Sequence, residues 1–206
     1  MVLSNFIQNI LNSTNNISIE RQENLNILVD YIDKNINGTN IPLIFICTHN
    51  SRRSFFTQVW AKVAADYFGF NQIAVYSGGT SETEIYKETI NALSAVGLKI
   101  IKLTENNNPI YAVKYHPQKY PIIGFSKIFD HPFNPKERFA AIMTCGNADA
   151  NCPYIPEASA RISLTYIDPK QSDGTPQETQ TYLDKSAEIA AEMFYVFKQI
   201  KNNEQR

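Results

Sequence analysis

The feature that most constrains the fold is a short apolar run followed at once by a polar loop and then by a helix. Residues 42–47 have the sequence PLIFIC, which contains no charged side chain. Such a run predicts a strand that is buried on both faces of a parallel sheet. Polar residues fill positions 48–53, and behind them Phe56, Trp60 and Val63 recur at helical spacing. The sequence therefore predicts a strand–loop–helix unit of an α/β domain.

The same pattern recurs along the chain. Short apolar runs at residues 72–77, 139–144 and 161–167 predict further strands, with helical patterns between and after them. Ser81 and Glu84 have the spacing of a capping box, which predicts the start of one of these helices. Strands that alternate with helices favour parallel pairing through right-handed crossovers. We therefore predict an α/β fold with a four-stranded parallel sheet flanked by helices.

Two parts of the chain lie outside this pattern. Residues 1–40 have apolar positions at helical spacing, and they predict a helical N-terminal extension packed on a domain of residues 41–206. Residues 104–137 are rich in proline and in alternating apolar segments, and they predict a hairpin-like insertion. The aromatic side chains of the insertion either wall the active site or form a small core of their own.

Composition narrows the classes of function. The chain has 206 residues, of which 43% are hydrophobic, and this is enough for the core of one domain. Its 19 basic and 20 acidic side chains leave a net charge of -1, so there is no electrostatic case for nucleic acid. No apolar run approaches the about 20 residues of a membrane span, and the N-terminus lacks a secretory signal. We therefore expect a cytoplasmic protein with neither nucleic acid nor membrane as a partner.

Cysteine usage leaves two roles open. The chain has 3 cysteines, Cys47, Cys145 and Cys152. An odd, small number in a cytoplasmic chain does not indicate a disulfide framework. A metal pair would need a third or fourth soft ligand, and none lies nearby in the sequence, so we predict no metal site. The cysteines are therefore either inert or chemically active.

Cys47, Cys145 and Asp168 share one property, because each comes just after the end of a predicted strand. The carboxyl ends of parallel strands meet at one edge of a sheet, which is where ligands bind in such folds. We therefore expect all three side chains to line the same edge.

Residues 47–54, here called the oxyanion loop, have the composition of an anion site. A loop that opens a helix aims successive backbone N–H groups at one point, and a cysteine facing that point has its thiolate stabilised by the same donors. Arg53 can grip two oxygens of an oxyanion, Ser54 can donate to the sulfur of Cys47, and Asn50 can brace the loop. The residues predicted to bind the oxyanion are Thr48, His49, Asn50, Ser51, Arg52, Arg53 and Ser54.

Three segments carry a resemblance to a known family. ICTHNSRRS resembles the active-site loop of the low-molecular-weight protein tyrosine phosphatases and of the thioredoxin-coupled arsenate reductases that share their fold. TCGNADANCP resembles the reductase segment that holds two further redox cysteines, and Asp168-Pro169 matches the Asp-Pro of the general acid. The motif order agrees from about residue 41 to residue 200.

If the protein is a reductase, the resemblance implies a relay of three cysteines. Cys47 attacks arsenate, Arg53 and the loop amides hold the oxyanion, and Asp168 protonates the leaving oxygen. Cys145 then attacks the Cys47–arsenic adduct and releases arsenite. Cys152 resolves the Cys47–Cys145 disulfide, and thioredoxin reduces the Cys145–Cys152 pair. The small, polar residues 146–151 predict a segment able to move during this exchange, and no cofactor is implied.

The resemblance also allows a phosphatase. Water would then hydrolyse a phosphocysteine formed on Cys47, and the other two cysteines would be structural. A third alternative is a non-catalytic regulatory module that keeps the anion pocket.

Three positions depart from the family pattern, and they either motivate the third alternative or count against the phosphatase. His49 stands where the family usually has glycine, which predicts a strained positive φ there. Arg52 stands where many members have a second loop cysteine, and it should add positive charge near the anion. Lys170 stands where the phosphatases usually carry an aromatic residue beside phosphotyrosine, which counts against a tyrosine phosphatase.

Overall fold

The computed structural model describes residues 2–151 and 154–204, which form helices α1–α6 and strands β1–β7. The helices are α1 Val2–Ser13, α2 Ile19–Asn35, α3 Arg53–Phe68, α4 Lys87–Ala95, α5 Gly146–Asn151 and α6 Glu178–Glu204. The strands are β1 Ile41–Cys47, β2 Ile73–Gly79, β3 Lys99–Lys102, β4 Tyr111–Lys114, β5 Ile122–Gly124, β6 Phe139–Met143 and β7 Ala158–Ser163. Short 3₁₀ turns lie at Thr14–Asn16 and Pro169–Ser172.

The central sheet has the order β2-β1-β6-β7, and every pairing in it is parallel. All seven residues of β1 are buried, as expected for a strand covered on both faces. The prediction of an α/β fold with a four-stranded parallel sheet is confirmed. The order also brings the C-terminal ends of β1 and β6 side by side, and these ends lead to Cys47 and Cys145.

Two predicted element boundaries are wrong. The fourth strand ends at Ser163 rather than at residue 167, because the chain leaves the sheet edge on its way to Asp168. The helix expected at Ser81 begins only at Lys87, and its N-cap Tyr86 makes no side-chain cap. Ser81 instead donates its hydroxyl to the carbonyl of Thr48 at 3.2 Å. A tertiary contact with the oxyanion loop has therefore replaced the predicted local cap.

Strands β3, β4 and β5 form a second, antiparallel sheet. The antiparallel pair β4–β5 lies within the predicted hairpin-like insertion, and β3 precedes it. This sheet packs on α3 so closely that a Cβ at Gly124 would lie 2.0 Å from the ring of Phe55. The insertion thus lies directly against the helix that follows the oxyanion loop.

The first two helices pack on α6. Leu25, Leu28 and Ile32 of α2 are buried in the same core as the inner face of α6. Arg21 forms a forked ion pair with Glu192, at 2.7 and 2.8 Å. In the part of the chain described, no helix has both the length and the apolar character needed to cross a bilayer.

Candidate active site

Cys47 is the last residue of β1, and its side chain is buried beside the start of α3. Its Sγ lies 3.2 Å from the Oγ of Ser54. Asn50 donates its Nδ2 to the same Oγ at 2.8 Å. Since an amide nitrogen can only donate, the Ser54 oxygen accepts there and keeps its own proton for the sulfur. The geometry therefore gives Cys47 a hydroxyl donor suited to a thiolate.

The oxyanion loop turns through Asn50 and not through His49. Asn50 has φ 49, whereas His49 is absent from the positive-φ residues that the structure describes, so the strain predicted at His49 is wrong. Asparagine adopts this conformation more readily than most residues. Asn50 is fully buried, and its Oδ1 accepts from the backbone N–H of Lys127 at 3.2 Å. His49 has an exposed side chain.

The backbone of the loop presents unused donors. Among the described residues, no hydrogen bond uses the N–H groups of residues 49–54, which run into the first turn of α3. Ser51 is buried and braces α4, since its Oγ accepts from the backbone N–H of Tyr86 at 3.1 Å. Free N–H groups at a helix start form a seat for an anion, which is what the sequence predicted for this loop.

Gly79, at the end of β2, lies against the back of the oxyanion loop. A Cβ there would lie 2.7 Å from the Thr48 carbonyl and 2.9 Å from the Asn50 nitrogen. Backbone atoms cannot yield to such a contact as a flexible side chain would. The position therefore requires glycine for the loop to keep its shape.

Arg53 points toward the acid residue. Its Nη2 donates to Oδ2 of Asp168 in a short ion pair, and its Nη1 donates to the Tyr166 carbonyl at 3.2 Å. Its Nε is buried, and no residue that the structure describes accepts a hydrogen bond from it. A buried unpaired donor costs free energy, and an oxyanion on the loop would supply the missing acceptor.

Asp168 opens a segment that we call the acid loop, residues 168–173. Its Oδ1 accepts from the Lys170 N–H at 3.1 Å, and its side chain keeps 31% exposure. The structure thus brings together Arg53 and Asp168, which lie far apart in the sequence. The side chain of Lys170 is exposed.

Arg52 was predicted to add positive charge near the anion, and its side chain is bonded to the acid loop and to α6. Its Nη2 pairs with Asp173 at 2.7 Å, and its Nε donates to the Tyr182 hydroxyl. Its guanidinium lies over the ring of Tyr86, 4.2 Å from the centroid. These partners hold the side chain between the acid loop, α6 and the ring of Tyr86.

Cys145 lies on the other flank of the oxyanion loop. It is fully buried, and its Sγ lies 3.5 Å from the hydroxyl of Thr48 and 3.3 Å from the N–H of Ala148. Asn147 donates its Nδ2 to the Thr48 oxygen at 3.2 Å, so the Thr48 proton is free to point at the sulfur. Cys145 therefore has two potential donors. Cys152 lies outside the described residues.

Residues 146–151, predicted to be able to move, form the helix α5. Asp149 ties this helix to β7 through an ion pair with Arg161 at 2.6 Å and a hydrogen bond from Ser163 at 2.8 Å. Any movement of this segment therefore requires a helix to leave these contacts. Within the described residues, no three His, Cys, Asp or Glu side chains converge as a metal site would require.

Sequence reasoning missed Lys127, a fully buried lysine beside the loop. Its backbone N–H braces Asn50, and its backbone carbonyl accepts from Gly79. Its Nζ lies 4.5 Å from the ring centroid of Phe125 and 3.4 Å from the Phe125 carbonyl. Burial lowers the pKa of Lys127 from 10.5 to about 7. The apolar residues around it were the only sequence signal.

Replacement of this lysine should stabilise the protein in a pH-dependent way. Between pH 7 and pH 10.5 the unfolded chain keeps a proton that folded Lys127 lacks, so the contribution of Lys127 to stability rises with pH. Below pH 7 the penalty is complete, on the order of 4 kcal/mol. Lys127→Met should therefore raise the free energy of unfolding at pH 6 by about 2–4 kcal/mol, and this advantage should shrink toward pH 10.

Urea unfolding at several pH values checks this expectation. The exposed Lys99→Met is the matched control, and it should change stability by less than about 0.5 kcal/mol at every pH. A Lys127→Met advantage that is independent of pH would contradict the neutral-lysine account.

The known proteins that are similar to this chain in sequence are arsenate reductases. No family model matches the chain. The arsenate reductase of Staphylococcus aureus is 27% identical over 160 residues, or 76% of this chain and 97% of that protein. The arsenate reductase of Bacillus subtilis is 25% identical over 146 residues, or 71% of this chain and 86% of that protein. That of Halalkalibacterium halodurans is 25% identical over 136 residues, or 66% and 79%.

Solved structures agree on the fold. The low-molecular-weight phosphotyrosine phosphatase of Vibrio cholerae superposes with a TM-score of 0.50 at 14% identity, over 81% of this chain and 99% of that one. The low-molecular-weight protein tyrosine phosphatase of T. tengcongensis gives a TM-score of 0.50 at 11% identity, over 78% and 99%. The chain is thus similar in sequence to arsenate reductases, and it shares the fold of the low-molecular-weight protein tyrosine phosphatases.

Proposed function

We propose that this protein is a thioredoxin-coupled arsenate reductase. The observation that carries the proposal is the position of Cys145, a second buried thiol on the flank of the oxyanion loop. A phosphatase has no use for a second thiol there, or for the donors of Thr48 and Ala148 that surround it. A reductase needs both, because its second step is an attack by a thiolate.

The first step forms a bond between sulfur and arsenic. The Cys47 thiolate attacks the arsenic of arsenate while the loop N–H groups and Arg53 hold its oxygens. Asp168 protonates one oxygen, the As–O bond breaks, and water leaves. Ser54 donates to the sulfur throughout, which stabilises its negative charge before the attack.

The second step moves two electrons. Cys145 attacks the Sγ of Cys47, an S–S bond forms, and the Cys47–arsenic bond breaks. The electron pair of that bond stays on arsenic, which leaves as arsenite. Two thiols have then become one disulfide, and As(V) has become As(III), so the electrons balance.

Regeneration completes the cycle. Cys152 attacks Cys145, which frees Cys47 and leaves a Cys145–Cys152 disulfide for thioredoxin to reduce. The helix α5 would have to unwind or shift for this exchange, and its six residues are held mainly through Asp149.

The cytoplasm, where thioredoxin keeps thiols reduced, is the compartment we propose. We also propose that residues 1–40 are an extension of a catalytic domain of residues 41–206.

The second candidate is a phosphatase acting on phosphate esters. The ion pair between Arg53 and Asp168 favours it, because an acid beside the anion seat suits a leaving alcohol. The exposed Lys170, in place of an aromatic residue, counts against phosphotyrosine as substrate. A regulatory module without catalysis is not supported, since His49 and Arg52 leave the oxyanion loop intact.

One paired assay tests the proposal. Wild type and Cys152→Ser are compared in arsenate-dependent NADPH oxidation with thioredoxin and thioredoxin reductase, and both are assayed for aryl phosphate hydrolysis. The account predicts wild-type turnover that the variant loses. Folded wild type that hydrolyses the ester and shows no arsenate-dependent oxidation would transfer the proposal to the phosphatase.

The hydroxyl of Thr48 should matter only for the second step. Thr48→Val removes a donor to the Cys145 sulfur, and a hydrogen bond to a charged group contributes about 1.5–3 kcal/mol. Arsenate turnover should therefore fall about tenfold or more, with ester hydrolysis changed less than about threefold. Thr48→Ser keeps the hydroxyl and is the matched control. An equal loss of both activities would indicate damage to the loop instead.

A further inference from the structure

We propose that Arg52 is a positioning residue, which holds the acid loop on the oxyanion loop while an oxyanion occupies Arg53. The inference rests on the proposed function, because it needs an oxyanion at Arg53 and an acid at Asp168. It goes beyond that function by giving a role to a side chain that touches neither the substrate nor Cys47.

The acid loop is held at both ends by consecutive arginines. At its start, Asp168 pairs with Nη2 of Arg53. At its end, Asp173 pairs with Nη2 of Arg52 at 2.7 Å. The two ion pairs therefore join the same two loops from opposite sides.

These two arginines cannot have the same task. A bidentate grip on an oxyanion uses Nε and Nη2 of a guanidinium, and Nη2 of Arg53 is the atom now bonded to Asp168. Nη2 has two N–H groups and can bond both partners, but the charge of Arg53 is then shared between two anions that repel each other, so the arrival of substrate weakens the first tether. The second tether lies outside the anion seat and remains. Without it, Asp168 would be free to leave the site just when its proton is needed.

Arg52 is built as a fixed clamp. Its Nε donates to the Tyr182 hydroxyl, and that hydroxyl donates in turn to Oδ1 of Asp173 at 2.7 Å. Arg52, Tyr182 and Asp173 thus form a closed cycle of hydrogen bonds. Burial and the neighbouring Asp173 raise the pKa of Tyr182, so its hydroxyl keeps the proton that the cycle requires.

The clamp is also shielded from solvent. Tyr182 is fully buried, and the side chains of Arg52 and Asp173 keep only 12% and 22% exposure. The ring of Tyr86 packs on both Arg52 and Tyr182, with ring centroids 5.5 Å apart. Ion pairs on the open surface contribute little, whereas a partly buried pair within a hydrogen-bond network is better placed to fix a loop.

The consequence for catalysis is a separation of binding from turnover. Asp173→Ala should leave the KM for arsenate within about twofold, because the anion seat is untouched, and should lower kcat about tenfold, because Asp168 is misplaced. Asp173→Asn, which keeps one of the two acceptor oxygens, should recover part of that loss. Gln171→Ala changes an exposed side chain of the same loop without touching either ion pair, and it should behave as wild type. A rise in KM with unchanged kcat would contradict the positioning role.

A second measurement does not depend on turnover. Hydrogen exchange of the acid-loop amides is compared in wild type, Asp173→Ala, Arg53→Gln and the double variant, without ligand and with inorganic phosphate. Arg53→Gln imitates the loss of the first tether, and Arg52 should keep the loop protected in it. The double variant should exchange about tenfold faster than either single one, and phosphate should produce the same acceleration in Asp173→Ala.

The outcomes separate this inference from the proposed function. Protection of the oxyanion-loop amides by phosphate in wild type reports whether the anion seat works. If that protection is absent, the proposed function fails, and the ligand-free comparison of the four proteins still tests the clamp. Equal acid-loop exchange in Arg53→Gln and the double variant, with unchanged exchange in β1 and α6, would overturn the assignment of Arg52.

Discussion

Cys47→Ser is expected to reduce both arsenate turnover and ester hydrolysis by about 10⁴-fold or more. Both reactions begin with the Cys47 sulfur, and a serine hydroxyl at the same place is a far weaker nucleophile near neutral pH. The donors around it, Ser54 and the loop N–H groups, stabilise an anion that serine does not readily form. Steady-state kinetics with arsenate and with p-nitrophenyl phosphate measure the loss.

The variant should fold normally, which provides the control. Serine is isosteric with cysteine, and the hydrogen bond with Ser54 can persist. Phosphate should therefore still raise the melting temperature of Cys47→Ser, as expected for a ligand that binds the folded state. Substantial residual arsenate turnover in this variant would remove Cys47 from the mechanism.

Cys145→Ser is expected to abolish arsenate turnover and to leave ester hydrolysis nearly unchanged. Arsenate turnover should fall by at least about 10³-fold, because no second thiol remains to take the Cys47 sulfur from arsenic. Ester hydrolysis should change less than about threefold, because water completes that reaction. Cys145 is fully buried, so its replacement adds some cost in stability, and assays should be made well below the melting temperature.

Cys145→Ala separates chemistry from packing. Alanine lacks the hydroxyl that serine would leave among apolar neighbours such as Met143 and Ala148. Both variants should lose arsenate turnover alike if the thiol is the essential group. Loss of ester hydrolysis in both would instead show that Cys145 supports the oxyanion loop, and the reductase proposal would lose its main support.

The fold could be predicted from the sequence because its signals are local. Apolar runs such as residues 42–47 indicate buried parallel strands, and their alternation with helices indicates the sheet. The rule that ligands bind at the carboxyl ends of such strands selected Cys47, Cys145 and Asp168. This reasoning needs only the order of elements along the chain.

The orientation of side chains could not be predicted in the same way, because it depends on distant partners. Arg52 was expected to add charge near the anion, and its partners Asp173 and Tyr182 could not be predicted because they lie more than 100 residues along the chain. His49 was expected to carry the loop's positive φ, and Asn50 carries it because its amide bonds Ser54 and Lys127. In both cases tertiary hydrogen bonds determine the conformation, and residue spacing in the sequence does not reveal them.

The same cause explains the capping box that did not form. Ser81 and Glu84 have the right spacing for a helix start, yet the Ser81 hydroxyl donates to the oxyanion loop. The helix begins later, after the backbone N–H of Tyr86 has bonded Ser51. Ser81 thus bonds the oxyanion loop instead of capping the helix that the local sequence predicts.

The most direct test of the reductase account is mass spectrometry after a single turnover. Fully reduced protein is mixed with one equivalent of arsenate and no thioredoxin, quenched in acid, alkylated and digested. The account predicts one arsenite and one Cys145–Cys152 disulfide per protein, with a Cys47–Cys145 disulfide in the Cys152→Ser variant. Release of arsenite with Cys145 recovered as the alkylated thiol, or no arsenite from protein that binds phosphate, would contradict it.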